Sequence, residues 1–189
     1  MGGDKVGDIW AISDTHFGHE NILKFKDKDG SYFRGEKFSS VKEMNECMID
    51  NWNSVVKPGD RVYHLGDVFF GSKEDFKALW PKLNGSKRLI VGNHDDIKFL
   101  SSGGFFKKVS MWRMFPEFNC VLTHVPIHES SLRVWGDYGD EGLNIHGHIH
   151  QNPSPTNNHM CVSVEQINYT PVNLEEISSA KRDYQRISQ

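Results

Sequence analysis

Residues 9–16 read Ile9-Trp10-Ala11-Ile12-Ser13-Asp14-Thr15-His16: an apolar run of strand length, closed by side chains able to bind a metal. The same pairing recurs down the chain. Arg61 to Leu65 ends in Gly66-Asp67, Arg88 to Val91 in Gly92-Asn93-His94-Asp95, and Cys120 to Leu122 is followed by Thr123-His124. Leu143 to Ile145 runs into His146-Gly147-His148-Ile149-His150, and Met160 to Val164 makes a sixth strand-like run. Helical patterns lie between. Ser40 to Val56 carries Val41, Met44, Met48, Trp52 and Val55 at helical steps behind a capping-box pair, Ser40 and Glu43. Ser72 to Leu83 repeats the idea with Phe76, Leu79, Trp80 and Leu83, Pro81 being expected to kink or end it, and Leu174 to Arg186 suits a last helix. Strands alternating with helices predict an α/β fold.

Composition bounds the reading. A chain of 189 residues, 37% hydrophobic and 25% charged, suits one globular domain with a sizeable core, and no repeat or low-complexity tract divides it, so residues 1–189 are read as a single domain. A net charge of -3 gives no basic footprint for a nucleic-acid polymer, which is not favoured as a partner. Cys47, Cys120 and Cys161 form no CxxC pair and read as reduced, buried thiols. No signal-like or membrane-spanning apolar stretch is present, so a soluble cytoplasmic protein without membrane partners is expected.

In open α/β sheets, ligands collect at the carboxyl ends of strands, so five such ends would deliver one polar cluster. Imidazole and carboxylate donors together suit Mn, Fe, Zn, Co or Ni, and the absence of cysteine from the cluster disfavours a structural zinc site. Seven candidate ligands, Asp14, His16, Asp67, Asn93, His124, His148 and His150, are too many for one tetrahedral ion. A binuclear centre is the economical reading. Two ions about 3.5 to 4 Å apart can bind the oxygens of a phosphoester together with an activated water, which favours phosphoester hydrolysis.

Taken in order, DxH at 14–16, GD at 66–67, GNHD at 92–95, TH at 123–124 and GHxH at 147–150 resemble the calcineurin-like metallophosphoesterases. The resemblance implies a four-layer αββα sandwich of two mixed β-sheets flanked by helices, with two divalent metals, Mn or Fe first among them, at one edge. It implies that Asp14, His16 and His150 hold the first metal, that Asn93, His124 and His148 hold the second, and that Asp67 bridges them. It also implies that His94 protonates the leaving group or stabilises the phosphoryl charge. Asp95, from its adjacency, is read as orienting His94. After Gly66-Asp67 the chain reads Val68-Phe69-Phe70-Gly71, without the Asp-Arg pair that the protein phosphatases of this superfamily carry there. Ser13 to Asn21 is similar to small bacterial and phage-encoded members, many of them phosphodiesterases, which implies a small or cyclic nucleotide-like substrate. A phosphomonoesterase and a non-catalytic, metal-binding scaffold are the alternatives.

Around these motifs, His19, His128 and His146 are candidates for contact with substrate or ligands, whereas His159 is read as a surface loop residue. Lys24 to Lys37 is read as a loop beside the site and a candidate lid, whose Lys24, Lys26 and Arg34 could neutralise a terminal phosphate. Trp135 is a candidate pocket border, and Phe105, Phe106 and Trp112 a candidate surface patch.

Overall fold

A computed structural model of the protein describes residues 7–132 and 142–187, with side chains through residue 181. In chain order its main elements are β1 (Ile9–Ile12), α1 (Val41–Val55), β2 (Arg61–His64), α2 (Lys73–Leu79), β3 (Ser86–Ile90), α3 (Ile97–Ser102), β4 (Val109–Ser110), β5 (Trp112–Phe115), β6 (Cys120–Thr123), β7 (Leu143–His146), β8 (His159–Cys161), β9 (Val172–Asn173) and α4 (Leu174–Ile187). One sheet has the order β4-β3-β2-β1-β9, parallel except for β9, and the other the order β5-β6-β7-β8, parallel except for β5. These are the two mixed sheets, flanked by helices, that the resemblance implies.

Strand alternation sorts each residue to one of two cores. Ile12, Val62 and Leu89 pack with Met44, Met48 and Trp52 of α1, Phe76 of α2 and Leu100 of α3. Ala11, Tyr63 and Ile90 point the other way and meet Phe115, Leu122 and Ile145 of the second sheet, with Leu174 of α4. Central strands buried on both faces must be almost continuously apolar, which is how they read in the sequence.

Helix ends follow their caps. Ser40 Oγ accepts from Glu43 N at 3.2 Å, while the Glu43 carboxylate accepts from Ser39 N and Ser39 Oγ rather than from Ser40, so the capping box closes one residue early. Trp52 is fully buried, its Nε1 donating to Asn84 O at 3.0 Å, and its truncation would cost about 3 to 5 kcal/mol. Pro81 ends α2 as expected, the chain tightening into a 3-10 turn over Trp80–Lys82.

Several expectations change. β8 stops at Cys161 because the next residues leave it: Ser13 N donates to Val162 O at 2.9 Å and Val164 N to Ser13 O at 3.2 Å, tying the end of β1 to the other sheet. His159 is buried in β8, not in a surface loop, and its Nε2 donates to Ile127 O at 2.8 Å. Phe105 and Phe106 pack against the α-helical core, leaving only Trp112 of the proposed patch exposed. Cys47 is half-buried where Cys120 and Cys161 are buried, and all three are free. Trp135 lies outside the described residues. No helix among the described residues is long and apolar enough to cross a membrane.

Candidate metal centre

Parallel register brings the strand ends level. Ile12 pairs with His64, and His64 with Leu89, so the chain leaves β1, β2 and β3 side by side. Beyond them the loops continue as a ladder, Asp14 N donating to Gly66 O at 3.0 Å and His16 N to Asp67 O at 3.1 Å. Asp14, His16, Asp67, His148 and His150 have φ of 55, 46, 56, 71 and 50°, the left-handed region that side chains rarely enter. Such strain costs on the order of 1 kcal/mol or more per residue and persists where the surroundings over-determine it. Close approach is tight as well: a Cβ on Gly147 would overlap Ser13 Oγ and Asp14 Oδ2, and one on Gly92 would overlap Asp67.

The strain delivers two overlapping groups. Ligand atoms of Asp14, His16 and His150 lie within 4.8 Å of one another, as do those of Asp14, Asp67 and His124. Asp67 Oδ2 faces both groups, 3.9 Å from His16 Nε2 and 3.6 Å from His124 Nε2. Asn93 Oδ1 stands 2.8 Å from His124 Nε2 and 3.0 Å from His148 Nδ1.

Proton bookkeeping tests whether these residues fit a cation. His124 Nδ1 lies 2.7 Å from Leu65 O, which can only accept, so Nδ1 carries a proton and Nε2 is the ring nitrogen turned toward Asn93 Oδ1 and the cluster. Asp14 Oδ1 and both ring nitrogens of His16 are buried without a hydrogen-bond partner, which is costly, and a metal would take the carboxylate oxygen and one of the ring nitrogens. Burial, then the charges of Arg34 and the neighbouring histidines, holds the His16 pKa well below its usual value. Burial likewise lowers His148, and it raises Asp67 against the opposing pull of His124. Burial thereby favours the neutral form of His16 and His148, the form that ligates.

The sequence profile of the calcineurin-like phosphoesterases matches residues 7–181. The chain belongs to the calcineurin-like phosphoesterase family. It is 38% identical over 178 residues to an uncharacterized protein of Methanocaldococcus jannaschii, covering 89% of this chain and 88% of that one. It is 28% identical over 171 residues to the Gene 66 protein of Mycobacterium phage L5, with 77% and 78% covered. Among solved structures it is similar to a protein of unknown function from Aquifex aeolicus, with a TM-score of 0.67, 28% identity, and 92% and 99% of the two chains covered.

Within this calcineurin-like phosphoesterase, His94 is exposed at the mouth of the cluster, its ring 6.3 Å from His16 and 5.1 Å from Phe70, while its backbone N donates to Asp67 Oδ1 at 2.9 Å. Asp95 does not orient it. The Asp95 carboxylate accepts from Gly92 N, Val68 N and Asp67 N at 2.8, 2.9 and 3.2 Å, buckling the GNHD loop to the GD loop. Neighbouring residues in a loop point apart, and adjacency in sequence was the wrong guide. His19 is half-buried, its ring 5.8 Å from that of His16, and burial lowers its pKa. His146 is buried one residue before Gly147 and donates through Nδ1 to Gly147 O at 2.9 Å. His128 is exposed and accepts from Ser130 N, with no hydrogen bond to the cluster among the described residues.

Glu165 was missed. Its Oε1 accepts from His150 Nδ1 at 3.0 Å and from Arg34 Nε and Nη2, each at 2.7 Å. Burial favours the neutral acid, yet the Arg34 charge and the His150 hydrogen bond hold the Glu165 carboxyl down to about 2. Burial also opposes a charge on His150, but the Glu165 hydrogen bond and charge raise its pKa on balance. The signal was present, because the sixth strand-like run also ends in polar residues, Ser163 and Glu165. Arg34, expected on a lid, is buried and donates to Thr15 O and Asp14 O, so the base of the Lys24 to Lys37 loop is anchored while Phe25 and Tyr32 stand exposed.

Proposed function

We propose that the protein is a phosphodiesterase acting through a binuclear divalent metal centre, with Mn or Fe favoured and Zn, Ni or Co able to compete, on a small or cyclic nucleotide-like diester. The observation that carries this reading is Asp67 Oδ2, which faces His16 and His124 at once and so can serve both metal groups. Asp14, His16 and His150 would hold one ion, Asn93, His124 and His148 the other, with Asp67 between. Such ions, when bound, would supply charge neutralisation for phosphoryl oxygens and activation of a water. His94, exposed beside the cluster and off both ligand groups, would give a proton to the departing oxygen.

The three cations expected beside the site favour a diester over a monoester, whose extra charge needs further positive groups. Arg34 is committed to Glu165 and main-chain carbonyls, Lys24 Nζ lies 3.5 Å from Asn21 Oδ1, and Lys26 Nζ sits 4.2 Å over the Tyr32 ring. The three free cysteines suit a reducing cytoplasm.

The test is hydrolysis of bis(p-nitrophenyl) phosphate and p-nitrophenyl phosphate by chelator-stripped protein resupplied with single metals. Metal-dependent diesterase activity, lost together with bound metal in Asp67→Ala, is expected. Bound metal without turnover under every ion would overturn the enzymatic reading in favour of a scaffold.

A further inference from the structure

On the Asn93 and His124 side of the cluster the surface opens into a cavity of about 530 Å³, with those two residues in its lining. Its walls come from a sheet face. Trp112 and Met114 of β5 stand opposite Thr123 and Val121 of β6, so the four share one side of the second sheet. Met111, Trp112 and Val125 are 66%, 58% and 45% exposed, an apolar surface that a soluble protein rarely leaves open without use. Among the described residues, no Lys, Arg, Asp or Glu lines the cavity. Of the two hydroxyl-bearing residues in its described lining, Thr123 and Ser131, the first already donates through Oγ1 to Val125 O at 2.6 Å.

We propose that this cavity is a substrate subsite for an uncharged aromatic ring carried on one ester arm of the diester, an inference that rests on the phosphodiesterase reading. The size falls in the usual range for small-ligand sites, and an indole beside thioethers is a surface suited to flat rings. Away from Asn93 and His124, its described walls carry no charged side chain to hold a second phosphate or a carboxylate. Asn93 and His124 belong both to the ligand cluster and to the lining, so a phosphoryl group held there would present a substituent to the cavity that Trp112 also lines. His94 leans toward His16 and Phe70, on the other metal group. The ring in the cavity therefore belongs to the arm that is retained, and the arm near His94 leaves.

Two substrates with one leaving group separate the arms: phenyl p-nitrophenyl phosphate and methyl p-nitrophenyl phosphate. The wild-type protein is expected to favour the phenyl ester by about tenfold in kcat/KM, with the ratio collapsing toward one in Trp112→Ala and surviving in Trp112→Phe. Calorimetric binding of phenylphosphonate against methylphosphonate to metal-loaded protein gives the same comparison without turnover, again about tenfold and again lost in Trp112→Ala. Hydrolysis of both esters at equal efficiency, with equal phosphonate affinities, overturns the subsite and leaves the phosphodiesterase reading intact. Ring-selective binding without hydrolysis of either ester overturns that reading and keeps the subsite. A dimer that Trp112→Ala splits, with no change in selectivity, assigns this face to a second copy of the chain and overturns the inference.

Discussion

Glu165 Oε1 accepts the Nδ1 proton of His150 at 3.0 Å, which fixes the tautomer of that ring and leaves the Nε2 lone pair for a metal shared with Asp14 and His16. The same carboxylate neutralises buried Arg34, which grips the carbonyls of Asp14 and Thr15. One ion pair thus holds ligands from both ends of the chain. Glu165→Gln, which keeps an acceptor but removes the charge, should weaken metal binding about 10- to 100-fold in chelator competition. Glu165→Ala strands the guanidinium and should cost about 3 to 5 kcal/mol in urea unfolding of the metal-free protein. Wild-type metal affinity in both variants would make the contact incidental.

What the sequence shows and what it hides divides along physical lines. The central strands and α1 were legible because burial on two faces, or on one helical stripe, writes itself into the pattern, as in Met44, Met48 and Trp52. The two-residue strands β4 and β9 were not, since their pairing with β3 and β1 is a tertiary event with no period to read. The polar strand ends that meet in the cluster were legible because polar groups after an apolar run need a reason. Glu165 and Asp95 were not assigned their partners because each acts on a residue remote in sequence, His150 and Arg34 for one, Asp67 and Val68 for the other. Direction of a loop side chain is set by backbone angles, which adjacency does not reveal.

That difference predicts opposite behaviour for two neighbours. Asp95→Ala deprives three backbone N–H groups of their acceptor and should lose about 2 to 3 kcal/mol of stability by denaturant titration. His94→Ala removes an exposed side chain and should unfold within about 0.5 kcal/mol of wild type. Its effect belongs in the rate, about 10²- to 10⁴-fold for a diester with an alkoxide leaving group. The loss should be smaller for p-nitrophenolate, which departs without a proton. An equal loss for both leaving groups would remove His94 from proton transfer.

Gly147 presents a sharper steric case. Asp14 Oδ2 accepts from His148 N at 2.9 Å and from Ser163 Oγ at 2.8 Å, and the added methyl of Gly147→Ala would enter that space. Either Asp14 swings out of the ligand cluster or the His148 loop lifts. Overpacking of this kind costs about 1 to 3 kcal/mol, and metal affinity should fall by about tenfold or more because Asp14 lies within ligand distance of His16 and His150 and of Asp67 and His124 alike. Equilibrium dialysis of the folded variant checks it, and undiminished affinity would show that the loop relaxes freely.

Acid should weaken the metal-free protein through His64. Thr15 Oγ1 donates to Val68 O at 2.8 Å, so at 2.9 Å from His64 Nε2 it accepts the ring proton and leaves Nδ1 buried without a partner. Burial, then the His124 charge, lowers the folded pKa to about 3 against a usual value of 6.5. Below pH 6.5 the unfolded chain therefore binds a proton that the folded chain refuses. Stability falls as pH drops, and the loss continues until the folded pKa is reached. At about 1.4 kcal/mol per pH unit, the step from pH 6.5 to 5 should cost about 2 kcal/mol from this residue. His64→Gln keeps a donor for Thr15 without titrating, so in chelator its pH 6.5 and pH 5 unfolding curves should lie closer together by that amount. Parallel losses in variant and wild type would move the acid sensitivity to other buried groups, with His16 the first to examine, since burial lowers its pKa too.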